Sequence, residues 1–555
     1  MNDKLFLIAI GGTGMRCLES FVHLCAAGMF DNHTIDILTI DTDQSNGNKD
    51  RVEHLINLYN KVKTHDSNKV GGEPRTDTFF SAKLNLRRFV TDYSTSQRKT
   101  YSLLADTSNL SDSAREDNKD ISDLFFEADT VQQFQLDHGY RAQTHLGSML
   151  MYHGIIEAAI NYKKGGTNVK PHEKDLVEYL KTLNQHAANA RVFVFGSVFG
   201  GTGASSIPVF PVAMSEALKI ITGGTTEINT NKVLFGSTLL TDYFTFNIPK
   251  DADKKVKKVI ADATNFALNS QAALSFYYGD ATVKNTYKRL YHIGWPSINK
   301  INYSKDGDGD VITGGNEQRN DCHVAELMCA AAAYDFFHVD RKGLENIGEA
   351  QYCFRTVETD DASGAMIFKG ASFVGQNYGS ILEKRLGAFL TFAHVILSKN
   401  NGAYSSVNGV DAFMNYIHTD SINYTEVNND QRIEINEYLK EFAYKILNDN
   451  VNFGWIYQIH RSVGSGSFIF AHEAFKTTEN ELLKTNIGQL YGDGSRDWGT
   501  RSAIFGSASD KSYNTFCDTF KTNQNSEPYE GQGNDPKELF FARMFNTITT
   551  LIGEI

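Results

Sequence analysis

The chain opens with the pattern of a strand, a glycine turn, a helix and a second strand. Residues 5–10 form a continuous apolar run that stops at Gly11, and apolar positions at helical spacing follow as far as residue 25. Residues 35–40 form a second apolar run, which ends at Asp41. Strands buried on both faces lose the alternation of polar and apolar side chains, so these runs predict the start of a parallel α/β sheet.

The same order returns in the middle of the chain. The apolar run at 191–195 leads into a glycine-rich loop at 196–206, after which the spacing predicts a helix at 207–220. Pro208 would stand in the first turn of that helix, where a missing N–H costs nothing. A further apolar strand is predicted at 233–240.

The remaining elements are less regular. The pattern predicts helices at 140–162, 254–275, 320–338, 379–397 and 433–449, and strand-like runs at 290–293, 352–357 and 366–374. The helix at 320–338 is rich in alanine and is predicted to be amphipathic. The polar stretch 91–135 is predicted to be an insertion. Because the runs shorten after about residue 345, we expect an α/β domain at 1–345 and a C-terminal α+β domain at 346–555.

Composition excludes several classes of protein. A hydrophobic share of 41% with only 8 prolines is typical of a globular chain, and a net charge of -12 argues against a nucleic-acid partner. No apolar window is long enough for a membrane span. The 6 cysteines lack paired spacing, and the histidines show no ligand spacing, so no metal site built from protein side chains alone is expected. Free cysteines without a signal peptide predict a cytoplasmic protein.

Two loops carry the tetrapeptide Gly-Gly-Thr-Gly after an apolar strand. Their residues are Gly11, Gly12, Thr13 and Gly14, and Gly200, Gly201, Thr202 and Gly203. Such turns bind phosphate because glycine lets backbone N–H groups approach closely and the helix dipole adds positive charge. A tight turn also needs glycine without any ligand, and Ser205 and Ser206 would either contact phosphate or cap the helix. No Walker lysine follows, so amides, dipoles and a metal ion would have to balance the charge.

The second loop closely resembles the signature loop of the tubulin/FtsZ family. Residues 200–209 read Gly-Gly-Thr-Gly-Ala-Ser-Ser-Ile-Pro-Val, where the family has Gly-Gly-Thr-Gly-small-Gly and FtsZ has the same Pro-Val pair. The first loop and the pair Thr42-Asp43 are also similar to FtsZ. The departures are Met15-Arg16 after the first glycines, Phe199 before the second loop and Ser205 in place of its last glycine. The chain therefore resembles an outlying, bacterial tubulin-like branch over about residues 1–340.

The resemblance implies a Rossmann-like sheet of the tubulin/FtsZ GTPase type that binds GTP or GDP with Mg²⁺. The implied phosphate contacts are Gly11, Gly12, Thr13, Gly14, Gly200, Gly201, Thr202, Gly203 and Ala204. Asp43 would lie near the γ-phosphate and Mg²⁺, with Gly139 and Arg141 in a third phosphate loop. Asp242 would lie beside the ribose, and Asn320 would read the guanine edge. Arg141 as a surface residue and Asn320 or Asp321 as a helix N-cap are the alternatives.

The resemblance also implies a catalytic partner. In this family acidic residues from the next subunit complete hydrolysis, on a loop after the central helix. Asp340 and Glu345 occupy that place here, so the expected partner is a second copy in a head-to-tail filament. Acids also occur by chance in a solvated loop, so nucleotide binding without efficient hydrolysis stays open.

Three functions remain open from the sequence. The first is a polymerising GTPase, and the second is a nucleotide-binding scaffold that hydrolyses poorly and recruits an unidentified protein partner, for example in a bacterial defence system. The third is a Rossmann-type NAD or FAD enzyme in which Asp41 or Asp43 would bind the ribose. Separately, the acids from Asp306 to Glu317 have the spacing of a Ca²⁺ loop, but Val311 at the glycine position favours a plain turn.

Overall fold

The computed structural model describes the chain in segments. The described residues are 3–43, 45–64, 70–91, 124, 144–165, 169–224, 228, 232–246, 262–303, 315–360, 362, 366–367, 371–375, 379–400, 427–447, 454–455, 519–523 and 535–552. Several positions singled out from the sequence lie outside these residues: Gly139, Arg141, the acidic run at 306–310 and nearly all of the polar stretch 91–135.

A seven-stranded parallel sheet forms the centre of the molecule. Across the sheet, the strands are β3 (Lys83–Val90), β2 (Thr34–Asp41), β1 (Lys4–Ile10), β4 (Ala190–Phe195), β5 (Leu234–Leu240), β7 (Tyr287–Ile293) and β9 (Gln351–Arg355). Every neighbouring pair is parallel. The predicted α/β fold with a parallel sheet is therefore confirmed. The strand order reverses between β1 and β4, and such a switch point is where open α/β sheets bind ligands.

Helices cover both faces of the sheet. One face carries α1 (Gly11–Ala26), α2 (Gly47–Lys63) and α9 (Val324–His338). The other face carries α3 (Thr144–Lys164), α4 (Pro171–Gln185), α6 (Phe210–Thr222) and α7 (Phe266–Gly279). Among the described helices, none is long and apolar enough to cross a membrane.

The described structure also contains several short elements. They are α5 (Thr202–Ser206), α8 (Ala281–Thr286), α10 (Arg341–Glu345), α11 (Ala371–Val374), and the strands β6 (Phe244–Thr245), β8 (Ile301–Asn302), β10 (Glu358–Thr359) and β11 (Met366–Ile367). β6 pairs with β8 in parallel, and β10 pairs with β11 antiparallel.

The central helix α9 differs from its prediction in two ways. It is buried on all faces rather than amphipathic, because it lies between the sheet and the helices α1 and α11. It also begins at Val324 and not at residue 320, because a capping box forms around His323. Nδ1 of His323 accepts from the N–H of Ala325 at 3.0 Å, and Glu326 accepts from the N–H of His323 at 3.1 Å. Asn320 is therefore not the helix cap.

Elements beyond residue 345 join the same core. β9 forms the last strand of the central sheet. The C-terminal helices α12 (Gly379–Asn400), α13 (Asn429–Leu447) and α14 (Pro536–Ile552) contribute to the hydrophobic core that contains α1 and α2. Residues beyond the predicted boundary at 345 thus add one strand to the sheet. They also add helices to the hydrophobic core on one of its faces.

Three further predicted elements differ clearly from the structure. The helix expected at 207–220 is α6, which begins three residues later at Phe210 with Pro211 in its first turn, and Pro208 lies between it and the short helix α5. Of the helix expected at 254–275, the described part begins at Phe266. The run 366–374 contains the two-residue strand β11 and the short helix α11 instead of one strand.

Candidate functional site

The two glycine loops contact each other at the carboxyl edge of the sheet. Gly11 has a φ of +67°, and a β-carbon placed on it would lie 3.1 Å from Cβ of Thr202. β-carbons on Gly14 and Gly203 would lie 2.6 Å and 2.8 Å from carbonyl oxygens of β4 and the loop after it. Real β-carbons essentially never come within 3.0 Å of other atoms, so positions 14 and 203 require glycine for packing within the sheet edge. At Gly11 a β-carbon would be tight against Thr202, and the positive φ also favours glycine.

Parts of both loops remain open to a ligand. The partly exposed loop residues are Gly12, Thr13, Gly200, Gly201 and Thr202. No described side chain caps the amino end of α1, so its first backbone N–H groups have no side-chain acceptor. An anion placed between the loops would meet these N–H groups and the positive end of the helix dipole.

Hydroxyl groups of neighbouring elements hold the backbone of the second loop by hydrogen bonds. Ser148 of α3, Tyr277 of α7 and Tyr287 of β7 donate hydrogen bonds to backbone carbonyl oxygens within residues 204–207. The hydroxyl of Ser205 is fully buried and donates to the carbonyl oxygen three residues earlier at 2.9 Å. Neither Ser205 nor Ser206 caps a helix here, because the helices at Thr202–Ser206 and Phe210–Thr222 have no side-chain cap.

The strand β2 ends in two carboxylates with unequal surroundings. Oδ1 of Asp41 accepts from the N–H groups of Thr42 (2.8 Å) and Asp43 (3.2 Å), whereas among described residues its buried Oδ2 has no partner, nor has Oγ1 of Thr42. Burial and the neighbouring Asp43 raise the pKa of Asp41 to about 7. Both oxygens of Asp43 already accept, from Ser45 (3.0 Å) and Gly315 (2.6 Å). The oxygen without a partner thus belongs to Asp41.

Four carboxamides lie beside the first loop. A β-carbon on Gly12 would lie 3.4 Å, 3.5 Å and 3.9 Å from the amide nitrogens of Asn48, Asn46 and Gln318. Nδ2 of Asn48 donates to Oδ1 of Asn320 (2.9 Å), and the N–H of Asn320 donates to Oδ1 of Asn48 (3.0 Å). Nδ2 of Asn46 donates to Oε1 of Gln318 (2.8 Å). Asn320 is therefore hydrogen-bonded to Asn48, the side chain that lies next to Gly12 of the first loop.

Asp242 has a competing partner. Its carboxylate forms an ion pair with Lys300, and the hydroxyl of Ser270 donates to it at 3.5 Å. A ribose contact would have to share the carboxylate with this lysine.

A buried charge network lies under the first loop. Arg16, two residues after Gly14, pairs with Glu326 of α9 at 2.7 Å. Glu19 pairs with Arg51 of α2 and with Lys445 of α13, both at 2.8 Å. Although burial acts to raise it, the two cations hold the pKa of Glu19 well below its usual range. The network joins α1 to the central helix and to a C-terminal helix.

Asp340 and Glu345 lie at the opposite edge of the sheet. Arg341, between them, pairs with Asp3 just before β1 (2.9 Å) and donates to the carbonyl oxygen of residue 232, just before β5 (2.8 Å). The strand β1 alone is about 20 Å long at ~3.3 Å per residue, so these acids do not reach the glycine loops of their own chain. Asp340 accepts from an N–H of α10 at 3.0 Å, and Glu345 pairs with Arg341 at 2.7 Å.

Comparisons with protein-family models, curated proteins and solved structures found no match. The likeness to the tubulin/FtsZ family thus rests on the motifs and stays a prediction.

Part of this site becomes visible only in the structure. Asn46, Asn48 and Gln318 were not singled out, although the run Asn-Gly-Asn follows closely on Asp43 and Gln318 precedes Asn320 by two residues. Gly139 and Arg141 lie outside the described residues. Within the described part of the chain, no group of three or more His, Cys, Asp or Glu side chains could hold a metal ion.

Proposed function

We propose that the chain binds a purine nucleoside triphosphate, GTP in the first instance, with Mg²⁺ at the carboxyl edge of the sheet, and that copies assemble head to tail as in the tubulin/FtsZ family. The observation that carries the proposal is the meeting of the two glycine loops at the switch point between β1 and β4, where Gly11 packs against Thr202. Two phosphate-binding turns at one place suit a polyphosphate better than a single phosphate.

The carboxylates after β2 fit a cation. Oδ2 of Asp41 is buried without a described partner, as is Oγ1 of Thr42, and a buried carboxylate without a partner is costly. Oxygen ligands of this kind suit Mg²⁺, which is usually held by one or two carboxylates together with substrate phosphates. Bound there, Mg²⁺ would neutralise phosphate charge, while Asp43 holds the loop at Gly315 in place.

The carboxamide group supports a base-reading role. Each carboxamide presents a donor and an acceptor in one plane, which is the pattern on the edge of a purine. Asn48 and Asn320 fix each other's orientation, and Asn46 fixes Gln318. The arrangement supports a purine, and binding of GTP and ATP must be compared directly to choose between guanine and adenine.

The position of the acids supports head-to-tail assembly. Asp340 and Glu345 lie at the amino edge of the strands, and the glycine loops lie at the carboxyl edge. Stacking copies along the strand direction would bring the acids of one copy to the loops of the next, and such a heterologous contact forms open filaments. An acid there would orient the attacking water.

Sedimentation tests the proposal. The full chain is pelleted with GTP, GTPγS, ATP, NAD⁺ or no nucleotide, and phosphate release is followed across protein concentrations. GTP-dependent pelleting, with phosphate release that appears above a critical concentration, is the expected result. If no purine triphosphate binds, the proposed function is wrong.

A nucleotide-binding scaffold with slow hydrolysis is the second candidate. It is favoured by the engagement of both candidate acids, since Asp340 caps α10 and Glu345 pairs with Arg341. In that case nucleotide binds, but phosphate release per molecule stays constant as protein concentration rises.

The NAD or FAD enzyme also has one observation in its favour, because the strand order of the sheet is that of the dinucleotide-binding fold. Binding of NAD⁺ in preference to GTP would support it.

A further inference from the structure

The edge strand β9 exposes backbone groups and two chemically different faces. Among described strands it is the last in the sheet, with β7 on its inner side. The carbonyl oxygen of Arg355 accepts from Gly294 on that inner side. Backbone groups alternate along a strand, so the N–H and C=O groups of Tyr352 and Phe354 point outwards, where a further strand would pair.

One face of this edge is aromatic and exposed. The side chains of Phe354 and Tyr278 each have 67% of their surface exposed. The ring of Tyr352 lies between them on the same face, 6.0 Å from the ring of Tyr278, and Phe354 contacts His292 of β7 at 5.3 Å. Large apolar side chains exposed together in this way are typical of interaction surfaces.

The other face carries two arginine side chains whose described ion pairs are with a single carboxylate. Arg289 and Arg355 both donate to one oxygen of Asp335, at 3.2 Å and 3.5 Å, and the hydroxyl of Tyr291 donates to it as well. Two guanidinium groups thus share one carboxylate. Arg355 also donates to the outward carbonyl oxygen of Phe354 at 3.0 Å, so its guanidinium lies at the open edge.

We propose that β9 is a docking site for an extended segment of another protein, which adds a strand to the sheet and alternates acidic with apolar side chains. Side chains of an added strand alternate between the two faces, so the acidic ones would meet the Arg289–Arg355 pair and the apolar ones would meet Phe354 and Tyr278. A second copy of β9 suits the edge poorly, because its side chains on the arginine face are Gln351, Cys353 and Arg355, none of which is acidic. The proposal does not depend on the glycine loops.

Peptide binding to the full-length protein tests the proposal. The probes are three fluorescein-labelled peptides: a decapeptide that alternates Glu and Val, the same peptide with Lys in place of Glu, and the Glu peptide with N-methyl groups on alternate backbone nitrogens. The wild type is expected to bind the Glu peptide at least about tenfold more tightly than either of the others. A tenfold difference in affinity corresponds to about 1.4 kcal/mol. Equal binding of the N-methylated peptide, or no binding of the Glu peptide, would overturn the proposal.

Variants assign the two faces. Phe354→Ser, at a largely exposed position, should weaken binding of the Glu peptide, and Arg355→Glu should reverse the preference in favour of the Lys peptide. Ile433→Ser on α13, also at an exposed position, is the matched control and should bind like the wild type. If folded Arg355→Glu still prefers the Glu peptide to the Lys peptide, acidic side chains do not meet the arginine face. If that variant does not fold, the peptide comparison on the wild type decides between the outcomes.

Discussion

At Gly14 an added β-carbon would lie 2.6 Å from a carbonyl oxygen of β4, whereas at Gly12 the nearest atom would be 3.4 Å away, at the amide of Asn48. Packing between helix and strand therefore requires glycine at position 14. It does not require glycine at position 12, which borders the space that we assign to the ligand. The two positions separate structure from binding within one loop.

Gly12→Ala should keep the fold and lose nucleotide. We expect GTP affinity to fall about tenfold or more, because a methyl group would hold the phosphate away from the backbone N–H groups. Gly14→Ala should instead destabilise the fold by about 1–3 kcal/mol through overpacking. Thermal melts and nucleotide titrations of both variants check this, with Gly348→Ala, which has open space around it, as the control. Full GTP affinity in Gly12→Ala would contradict the site.

At Asp41 the stability of the fold and the proposed binding of a cation are opposed. Burial and Asp43 raise its pKa from 3.8 to about 7 in the folded state, so the folded state holds a proton that the unfolded state loses above pH 3.8. The stability that this proton contributes is complete below pH 3.8 and is lost as the pH rises through about 7. Ionised Asp41 therefore destabilises the empty protein at neutral pH, and a bound cation would relieve that cost.

Asp41→Asn should raise the melting temperature of the nucleotide-free protein by a few degrees more at pH 8 than at pH 5. The same variant should weaken binding of GTP with Mg²⁺, because the amide is a poorer cation ligand. Melting curves at both pH values and titrations with and without Mg²⁺ give the two results. Equal shifts at pH 5 and pH 8 would show that Asp41 is not a buried, uncompensated acid.

At the level of the elements, buried charges join the proposed nucleotide-binding edge to the C-terminal helix α13. The network of Arg16, Glu19, Arg51, Glu326 and Lys445 contains three cations and two carboxylates. Removal of a carboxylate leaves three cations with one partner, whereas removal of one cation leaves the charges balanced. A buried charge without a partner costs more than the pair contributes.

Glu326→Gln should therefore destabilise the fold by about 3–5 kcal/mol, and Lys445→Met by clearly less. Urea denaturation of both variants measures the difference in the free energy of unfolding. Lys440→Ala, at an exposed position on the same helix, is the control and should be near neutral. A larger loss in Lys445→Met than in Glu326→Gln would contradict this account of the network.

At the level of the whole molecule, the proposed assembly would use two opposite edges of one sheet. α9 runs from the carboxamide group near Asn320 to the acids after His338, so one buried helix connects the two proposed contact surfaces. A helix of 15 residues is about 22 Å long at ~1.5 Å per residue, which matches the depth of the sheet. Each copy would offer a nucleotide at one end and acids at the other.

A mixture of two inactive variants tests the sharing of the site. Gly12→Ala keeps Asp340 but loses nucleotide, and Asp340→Ala keeps the glycine loops but loses the acid. In a head-to-tail filament of equal parts, half of the sites bind nucleotide and half of these face an intact acid, so about one quarter of the wild-type phosphate release should return. A mixture no more active than its components would show that Asp340 does not act between copies.

The parallel α/β sheet and the glycine turns after β1 and β4 could be predicted from the amino-acid pattern alone. These signals are local: a strand buried on both faces is an unbroken apolar run, and a turn that packs against its neighbours needs glycine. The apolar runs at 5–10, 35–40 and 191–195 lie within β1, β2 and β4 as described. For the same reason the Gly-Gly-Thr-Gly loops could be found without knowledge of their surroundings.

Which distant residues meet could not be predicted from the pattern and is visible in the folded chain. The contact of Gly11 with Thr202, the pairing of Asn48 with Asn320 and the entry of β9 into the central sheet join segments far apart in the chain. Amino-acid patterns report the period and burial of one element. They carry no record of the partner that covers it, because burial against any apolar surface leaves the same pattern.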